Sequence, residues 1–378
     1  MRKILFVANV AKEHILKFHV PTIKKFKDEG WIVDVACAGE EDVPYCDHQF
    51  KTSWKRSPFT PKTFKGILEL RKIIDEGNYD VVYCHTPVGG LVARLAGNRA
   101  RKTGTKMIYC AHGLHFFKGA PLRNWLIYYP MEYILSFMTD VIYTVNRADY
   151  KILVDKFPKQ VQKCLVPEVG VNMERLEVRN KQQAREKIRT ELNIPFDAKV
   201  LIYVAELIPN KNQIMLIDML QKVRAKFDNT YLVLVGPDHF GGKYQNEVER
   251  RSLSKYVRFT GWRSDIGELM VSADICTASS IREGFGINLV EAMYCGLPVV
   301  ATNNRGHEMV IEDGVNGFLV DVGDISAMAD RIISLLSDDE LRNRLGSIDV
   351  SRYDCKTIAE KLYDHILNNS TGEANEKS

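Results

Sequence analysis

A chain of 378 residues is long for a single hydrophobic core and suits two domains of roughly 100–200 residues each. Its 45% apolar and 26% charged content is that of a globular protein and excludes a disordered or collagen-like chain. The formal charge of +4 hides a split: residues 1–170 carry 26 basic against 17 acidic side chains and residues 171–378 carry 26 against 31, so the first half is the one suited to an anionic partner.

Taken in chain order, strand-like runs alternate with helix-length amphipathic segments, the rhythm of parallel sheets covered by helices on both faces. MRKILFVANVA is too short and too polar for a signal peptide and reads as a first buried strand, Lys3–Ala8. Ile32–Cys37, Val81–Cys84, Lys106–Cys110, Val141–Thr144 and Cys164–Val166 follow as strands of the first half. The second half repeats the pattern with Val200–Val204, Tyr231–Val235, Val257–Thr260, Ile275–Ala278, Val299–Ala301 and Gly317–Val320. The expected division is 1–170, 171–352, a C-terminal helix over 353–368 that returns to the first domain, and a disordered tail over 369–378. Neither half has a G-x-G-x-x-G turn after its first strand, which argues against ordinary dinucleotide binding.

The nearest approach to a membrane span, Trp125–Met138, is broken by Pro130, Glu132 and Ser136. The chain is therefore expected to be cytoplasmic, or peripheral at the inner face of the plasma membrane. Its eight cysteines are scattered without a C-x-x-C pair and read as reduced core residues. His112 and His115 show no partner ligands at metal-binding spacing, so no metal site is expected.

Loops at strand ends carry the candidate chemistry. After the first strand come His14, Phe18 and His19, and further on Lys24, Lys25, Lys27, Lys51, Lys55, Arg56, Lys62 and Lys65, a basic and partly aromatic set that suits anionic lipid head groups or a lipid-linked pyrophosphate. Such residues also suit single-stranded nucleic acid, but no recognised nucleic-acid motif accompanies them, and none is expected as a partner. His85-Thr-Pro-Val-Gly89-Gly90 is a strand-end loop whose amides suit an acceptor. Tyr109-Cys-Ala-His112-Gly113-Leu-His115-Phe-Phe-Lys118-Gly119 is a second such loop.

In the second half, Val204-Ala-Glu206-Leu-Ile-Pro-Asn-Lys211 follows a strand and opens a helix. Glu283-Gly284-Phe285-Gly286-Ile-Asn-Leu-Val-Glu291 then leads from a strand through a two-glycine loop into a helix of about ten residues closed by Gly296, with Pro298 opening the next strand. A glycine-rich loop feeding a helix N-terminus suits an anion, and carboxylates beside it suit sugar and ribose hydroxyls. Arg305-Gly-His-Glu, running on to Gly317-Phe-Leu-Val320, reads mostly as scaffold.

The Glu283–Glu291 stretch resembles the E-x7-E motif of the family 4 retaining glycosyltransferases, and the likeness extends over nearly the whole chain, including the two-sheet rhythm. The resemblance implies the GT-B fold: α/β, two doubly wound Rossmann-like domains facing each other across a cleft, the first binding the acceptor and the second the nucleotide-sugar donor. It implies that Glu283 contacts hydroxyls of the transferred sugar, that Gly284, Phe285 and Gly286 meet sugar and diphosphate through backbone groups, and that Glu291 holds the ribose. His112, of a His-Gly element, would lie at the sugar, with Gly113 and the weaker positions His14, His19, His85, Gly89 and Gly90 on the acceptor side.

The family commonly has Gly-Arg at Ala205-Glu206 and a lysine matching Lys211, a pair that grips the departing diphosphate. Here the lysine is kept and the arginine is replaced. Glu206 beside a diphosphate would repel it, so either Glu206 turns away, with Lys211 one partner open to it, or a cation such as Arg147, Arg263, Arg282 or Arg305 compensates; Glu206 and Arg263 are both taken as donor-binding. The expected reaction is transfer of a hexosyl or N-acetylhexosaminyl unit, with retention, from a UDP-linked donor to a lipid-linked or growing polysaccharide acceptor, in capsule or exopolysaccharide assembly. No cofactor or metal is required on this reading. The alternatives are another enzyme on the same fold, such as a nucleotide-sugar epimerase or a phosphorylase, and a non-catalytic nucleotide-sugar binding module.

Overall fold

The structure is a computed structural model that describes residues 1–54, 60–117, 119–166 and 169–371. The chain folds as two compact units, Met1–Gly170 joined by Cys355–Ser378, and Val171–Asp354.

In the first unit β1 (Lys3–Val10) runs into a π-helix (Ala11–His19) and α1 (Val20–Asp28), then β2 (Ile32–Ala38), β3 (His48–Lys51), α2 (Pro61–Gly77), β4 (Val81–His85), α3 (Pro87–Lys102), β5 (Lys106–Ala111), α4 (Leu122–Ser136), β6 (Val141–Thr144), α5 (Arg147–Lys156) and β7 (Gln162–Leu165). The seven strands form one parallel sheet in the order β3-β2-β1-β4-β5-β6-β7. A parallel sheet buries both faces, and β1 shows how. Ile4, Phe6 and Ala8 join the apolar cluster on one face, while Leu5 and Val7 join that on the other.

Helix starts are written in side chains. Thr60 accepts from Thr63 N ahead of Pro61, Thr86 accepts from Gly89 N ahead of Pro87, and Asn146 accepts from Asp149 N. Strand β3, which has no counterpart among the expected strands, is the four-residue edge run HQFK. Phe50 alone of its residues packs against the core, too little to betray a strand, and it is held against β2 by pairing from Asp34↔His48 to Cys37↔Lys51. Strand β7 begins two residues before the expected start and ends one residue earlier.

The second unit contains α6 (Lys181–Glu191), β8 (Lys199–Val204), α7 (Gln213–Arg224), β9 (Thr230–Val235), α8 (Lys243–Arg250), β10 (Val257–Gly261), α9 (Ile266–Ser272), β11 (Ile275–Ala278), α10 (Ile287–Tyr294), β12 (Val299–Thr302), β13 (Phe318–Val320), α11 (Ile325–Ser337) and α12 (Asp339–Leu345). Its six-stranded parallel sheet has the order β10-β9-β8-β11-β12-β13. The winding reverses between β8 and β11 here, and between β1 and β4 in the first unit, and such switch points are where open α/β sheets place ligands.

Helix α13 (Cys355–Thr371) belongs to the first unit. Ile358, Leu362 and Ile366 enter the cluster beneath β1 and β2, and Tyr363 meets Phe26 edge-on at 4.9 Å. The expected tail over 369–378 is thus corrected at its start. Asn369–Thr371 continue the helix, with Asn369 Nδ2 donating to the Tyr143 hydroxyl, and 372–378 lie outside the described residues. All eight cysteines are free thiols. No described helix is long and apolar enough to cross a membrane.

Candidate active site

At the switch point of the second unit, two loops leave the carboxyl ends of β8 and β11 and are stitched together. Ile281 N donates to Asn210 O (2.8 Å), Asn210 Nδ2 to Arg282 O (2.9 Å) and Ser279 Oγ to Lys211 O (2.8 Å). This clamp brings Lys211 Nζ to 2.5 Å from Glu283 Oε1, which also accepts from Ser280 Oγ at 2.6 Å. Ser280 in turn lies 2.7 Å from the buried Tyr203 hydroxyl. In the sequence Lys211 and Glu283 stand in two separate loops. The fold makes them one ion pair, mostly shielded from solvent.

Of the readings open for Glu206, pairing with Lys211 is not what the geometry shows. Its side chain is 57% exposed and faces His239 Nε2 at 3.9 Å, while its backbone carbonyl is fixed by Gln213 Nε2. Arg263, expected at the donor, is instead a strut held by Glu191 and Asp265. Its fork is occupied by two carboxylates, which raises its pKa and leaves it no role in the Lys211–Glu283 network. Of the other candidate cations, Arg147 stands in the first turn of α5 in the first unit, and Arg282 adjoins Glu283 in the clamped loop.

Helix α10 starts at Gly286, whose φ of −91° any residue could adopt. A Cβ there would come within 2.9 Å of Leu289 Cδ1, so close packing rather than backbone freedom calls for glycine. The helix spans eight residues, shorter than the ten expected. Glu291 on α10 is 3% exposed and ion-paired with Arg175, a residue the sequence reading did not single out. Burial pushes the Glu291 carboxyl up, and the Arg175 guanidinium opposes that shift.

The segment read as scaffold after β12 braces the site. Thr302 Oγ1 and Asn304 Nδ2 both donate to Ser280 O, and Asn304 Oδ1 accepts from the amides of Gly306 and His307. His307, 1% exposed, donates from Nδ1 to Thr302 O at 2.7 Å, and its burial lowers the ring's pKa, favouring the neutral form. Gly306 presses directly on Glu283: an added Cβ would stand 2.6 Å from Glu283 Cβ and 2.7 Å from its carbonyl carbon. Gly306→Ala is therefore expected to push Glu283 off its seat. Turnover should fall about ten- to hundredfold, as misplacements near 1 Å do, with a smaller change in nucleotide affinity. Steady-state kinetics beside nucleotide titration would check this, and unchanged turnover would show that the loop absorbs the methyl group.

In the first unit, the corresponding switch point gathers histidines. His14 and His19 lie on the π-helix after β1, His85 ends β4, and His112 follows β5. His14, His19 and His85 are buried and His112 is half-buried. Nε2 of His14 and Nε2 of His19 are 3.1 Å apart, and one ligand atom from each of the four rings lies within 4.8 Å of every other. The expectation that His112 lacks partner ligands is therefore corrected. The partners stand far off in sequence and meet only through the sheet. Burial lowers His14 and His85 to about 3 and His19 well below its ordinary value, so these rings are neutral at pH 7.

The loop carrying His112 and Gly113 is anchored by Asp149, whose carboxylate accepts from Leu114 N at 2.9 Å and from Asn146 Nδ2. Lys118, further along it, lies outside the described residues. Gly89 and Gly90, taken as acceptor-facing amides, are buried packing positions. A Cβ on Gly89 would meet the Ala8 backbone at 3.2 Å, and one on Gly90 the Tyr109 ring at 2.4 Å. Of the basic set, Lys24, Lys25, Lys27, Lys51 and Lys65 each sit beside an acidic side chain, and Lys55 and Arg56 lie outside the described residues.

Residues 184–349 match the family described as Glycosyl transferases group 1, and residues 3–146 that described as Glycosyl transferase 4-like. EpsD of Bacillus subtilis (strain 168), a protein carrying a glycosyltransferase name, is 43% identical over 347 residues, covering 91% of this chain and 90% of its own. The UDP-Gal:alpha-D-GlcNAc-diphosphoundecaprenol alpha-1,3-galactosyltransferase of Escherichia coli is 25% identical, over 75% of this chain and 72% of its own. Among solved structures, Anabaena Alr3699/HepE in complex with UDP and glucose superposes with a TM-score of 0.78 at 22% identity, over 97% of this chain and 100% of that one. WaaG, a glycosyltransferase involved in lipopolysaccharide biosynthesis, gives 0.72 at 18% identity, over 97% and 99%. Both likenesses are of the GT-B fold.

Proposed function

This chain belongs to the group 1 glycosyltransferases, and from that premise we propose that it moves a hexosyl or N-acetylhexosaminyl unit from a UDP-linked donor to a lipid-linked or growing polysaccharide acceptor, with retention at the anomeric carbon. The observation that carries the reading is the Lys211–Glu283 pair, clamped at the switch point ahead of a helix that bears the buried Glu291.

In this reading the pair is the resting state of two groups that separate when the donor arrives. Lys211 turns to the diphosphate, and Glu283 accepts hydrogen bonds from sugar hydroxyls. Departure of the nucleoside diphosphate builds negative charge on phosphate oxygens while positive charge develops at the anomeric carbon. Lys211, the amides of Gly284, Phe285 and Gly286, and the N-terminal end of α10 oppose the first, and the Glu283 carboxylate favours the second. Glu291 receives the ribose hydroxyls, with Arg175 opposing the upward push of burial on its carboxyl. Retention follows if the acceptor attacks the face that the diphosphate leaves, with the leaving phosphate taking the acceptor's proton. His112 and Gly113 of the first unit are assigned to the transferred sugar. Glu206, turned toward His239, is left with no donor contact in this assignment.

The donor nucleotide is supported by the UDP bound to Anabaena HepE, and the lipid-linked acceptor by the name of the E. coli relative. Membrane association is supported by the exposed Phe64 and Leu68 on α2 and Leu122, Leu126 and Ile134 on α4, two helices packed over the same sheet face as α3. Lys65, on α2 beside Glu69, can exchange that carboxylate for a lipid phosphate, since exposed ion pairs are worth about 0–1 kcal/mol, whereas Lys24, Lys25 and Lys27 stand on α1 over the other sheet face.

The test is a panel of UDP- and GDP-sugars incubated with the chain and undecaprenyl-diphosphate saccharides, with donor consumption and the product's anomeric configuration followed by NMR. Acceptor-dependent consumption of one UDP-sugar with retained configuration is expected. Consumption confined to GDP-sugars, or an inverted product, would overturn the corresponding part.

A further inference from the structure

We propose that His14, His19, His85 and His112 form a binding site for a divalent transition-metal cation, Zn²⁺ by ligand preference, at the switch point of the first unit. Four imidazoles from three adjacent strand ends converge there, and their geometry is close to what one cation needs. Imidazole nitrogens about 2.0–2.1 Å from a tetrahedral zinc stand about 3.3 Å apart, with ring centres about 5 Å apart. Here the Nε2 atoms of His14 and His19 are 3.1 Å apart. The six ring-centre separations run from 4.0 Å for His19–His85 to 5.9 Å for His19–His112, on both sides of that figure. Closing the set onto one ion requires the widest ligand-atom separation to contract from at most 4.8 Å, a movement within the reach of side-chain rotation.

The local backbone supplies a second, independent argument. Ala11–His19 is wound as a π-helix over nine residues, whereas such winding ordinarily occurs as single-turn bulges, often at functional sites. Hydrogen bonding from i to i+5 stacks residues five apart, which is the spacing of His14 and His19. In an α-helix of 3.6 residues per turn they would point roughly 140° apart. The uncommon winding thus has the effect of setting two imidazoles side by side. As mere core the arrangement would be costly. His19 Nδ1 is buried with no hydrogen-bond partner among the described residues, and burying polar ring nitrogens is a poor way to fill space that Leu or Phe would fill. The shell around the rings is aromatic, with Phe6, Phe18 and Tyr83 at ring-centre distances of 4.2–6.5 Å from cluster members. That surrounding favours an ion held away from bulk water.

Imidazole donors in a tetrahedral set suit Zn²⁺ and its spectroscopic surrogate Co²⁺, and do not suit Mg²⁺ or Ca²⁺, which take oxygen ligands. Because His112 is also assigned to the transferred sugar, cation and sugar would compete for it. Cation binding is measurable without the transfer reaction.

The experiment is titration of the full, chelator-stripped chain with Co²⁺ and then Zn²⁺. One equivalent of Co²⁺ is expected to give the intense visible bands of tetrahedral coordination, abolished by one equivalent of Zn²⁺, and Zn²⁺ is expected to raise the melting temperature. His14→Ala and His19→Ala should each remove the bands and weaken Zn²⁺ binding at least about a hundredfold, whereas His115→Ala, outside the cluster, should leave both intact. Should the buried variants fail to fold, His112→Ala, at the half-buried member, is expected to shift the Co²⁺ spectrum toward higher coordination and weaken Zn²⁺ binding. Absence of tetrahedral bands in the wild-type chain, or their persistence in the cluster variants, would overturn the proposal.

Discussion

Glu283→Ala is expected to lower kcat by about 10²–10³-fold while the dissociation constant for UDP moves by less than about threefold, the loss being that of one preorganised electrostatic contact at the reacting centre. The carboxylate is held by two donors, Ser280 Oγ and Lys211 Nζ, on a loop fixed by the clamp to Asn210, so it is positioned before any donor binds. Its removal frees Lys211, which is partly exposed, and water can take over its solvation, so the fold should lose little. Glu283→Gln separates placement from charge. The amide keeps the shape and one acceptor oxygen but cannot favour positive charge at the anomeric carbon, so it should recover UDP-sugar affinity without recovering turnover. Kinetics at saturating donor, beside calorimetric titration with UDP, checks both. An alanine variant with wild-type kcat would remove Glu283 from the chemistry, and one with equal losses in affinity and turnover would make it a binding residue.

Much of this architecture is legible in the chain because parallel strands buried on both faces must be nearly continuous apolar runs. Strands such as Lys3–Val10 and Thr230–Val235 announce themselves in that way. The edge strand His48–Lys51 does not, since an edge needs no apolar run, and its place is fixed by pairing with β2. Glu283, Gly286 and Glu291 are legible because a strand, a turn, a helix and a following strand are contiguous in sequence.

Lys211's true partner is not legible. Glu206, five residues away, is the neighbour a reader sees, while Glu283, seventy-two residues away, is the one the sheet supplies. Arg175 lies just past the junction between the units with no motif around it, and only the packing of α10 reveals it. The same limit hid the four histidines. A helix-start glycine pair such as Gly89-Gly90 reads equally as a ligand loop or as close packing, and the contacts with Ala8 and Tyr109 decide for packing.

Arg175 and Glu291 lead to an asymmetry that separates binding from stability. Glu291→Ala is expected to weaken UDP binding about 10- to 100-fold, the range for hydrogen bonds to a charged group, with kcat at saturating donor less affected. It leaves Arg175, 49% exposed, to be solvated by water at little cost. Arg175→Ala does the reverse and leaves a carboxylate that is 3% exposed without its cation, which costs more folding stability than the isosteric Glu291→Gln.

The sign with pH follows from burial. A folded-state carboxyl raised above its unfolded value contributes stability that is present at pH below the unfolded value and is lost as pH rises through the folded one. Removing Arg175 takes away the influence that opposes this rise, so Arg175→Ala should melt lower relative to wild type at pH 7 than at pH 4, whereas Glu291→Gln should show no such growth in the difference. Thermal melts of the two variants at the two pH values, set beside UDP titrations at pH 7, read both halves. If Arg175→Ala and Glu291→Gln shift stability equally at both pH values, the pair is a surface contact, and Glu291 must hold its ribose without help from Arg175.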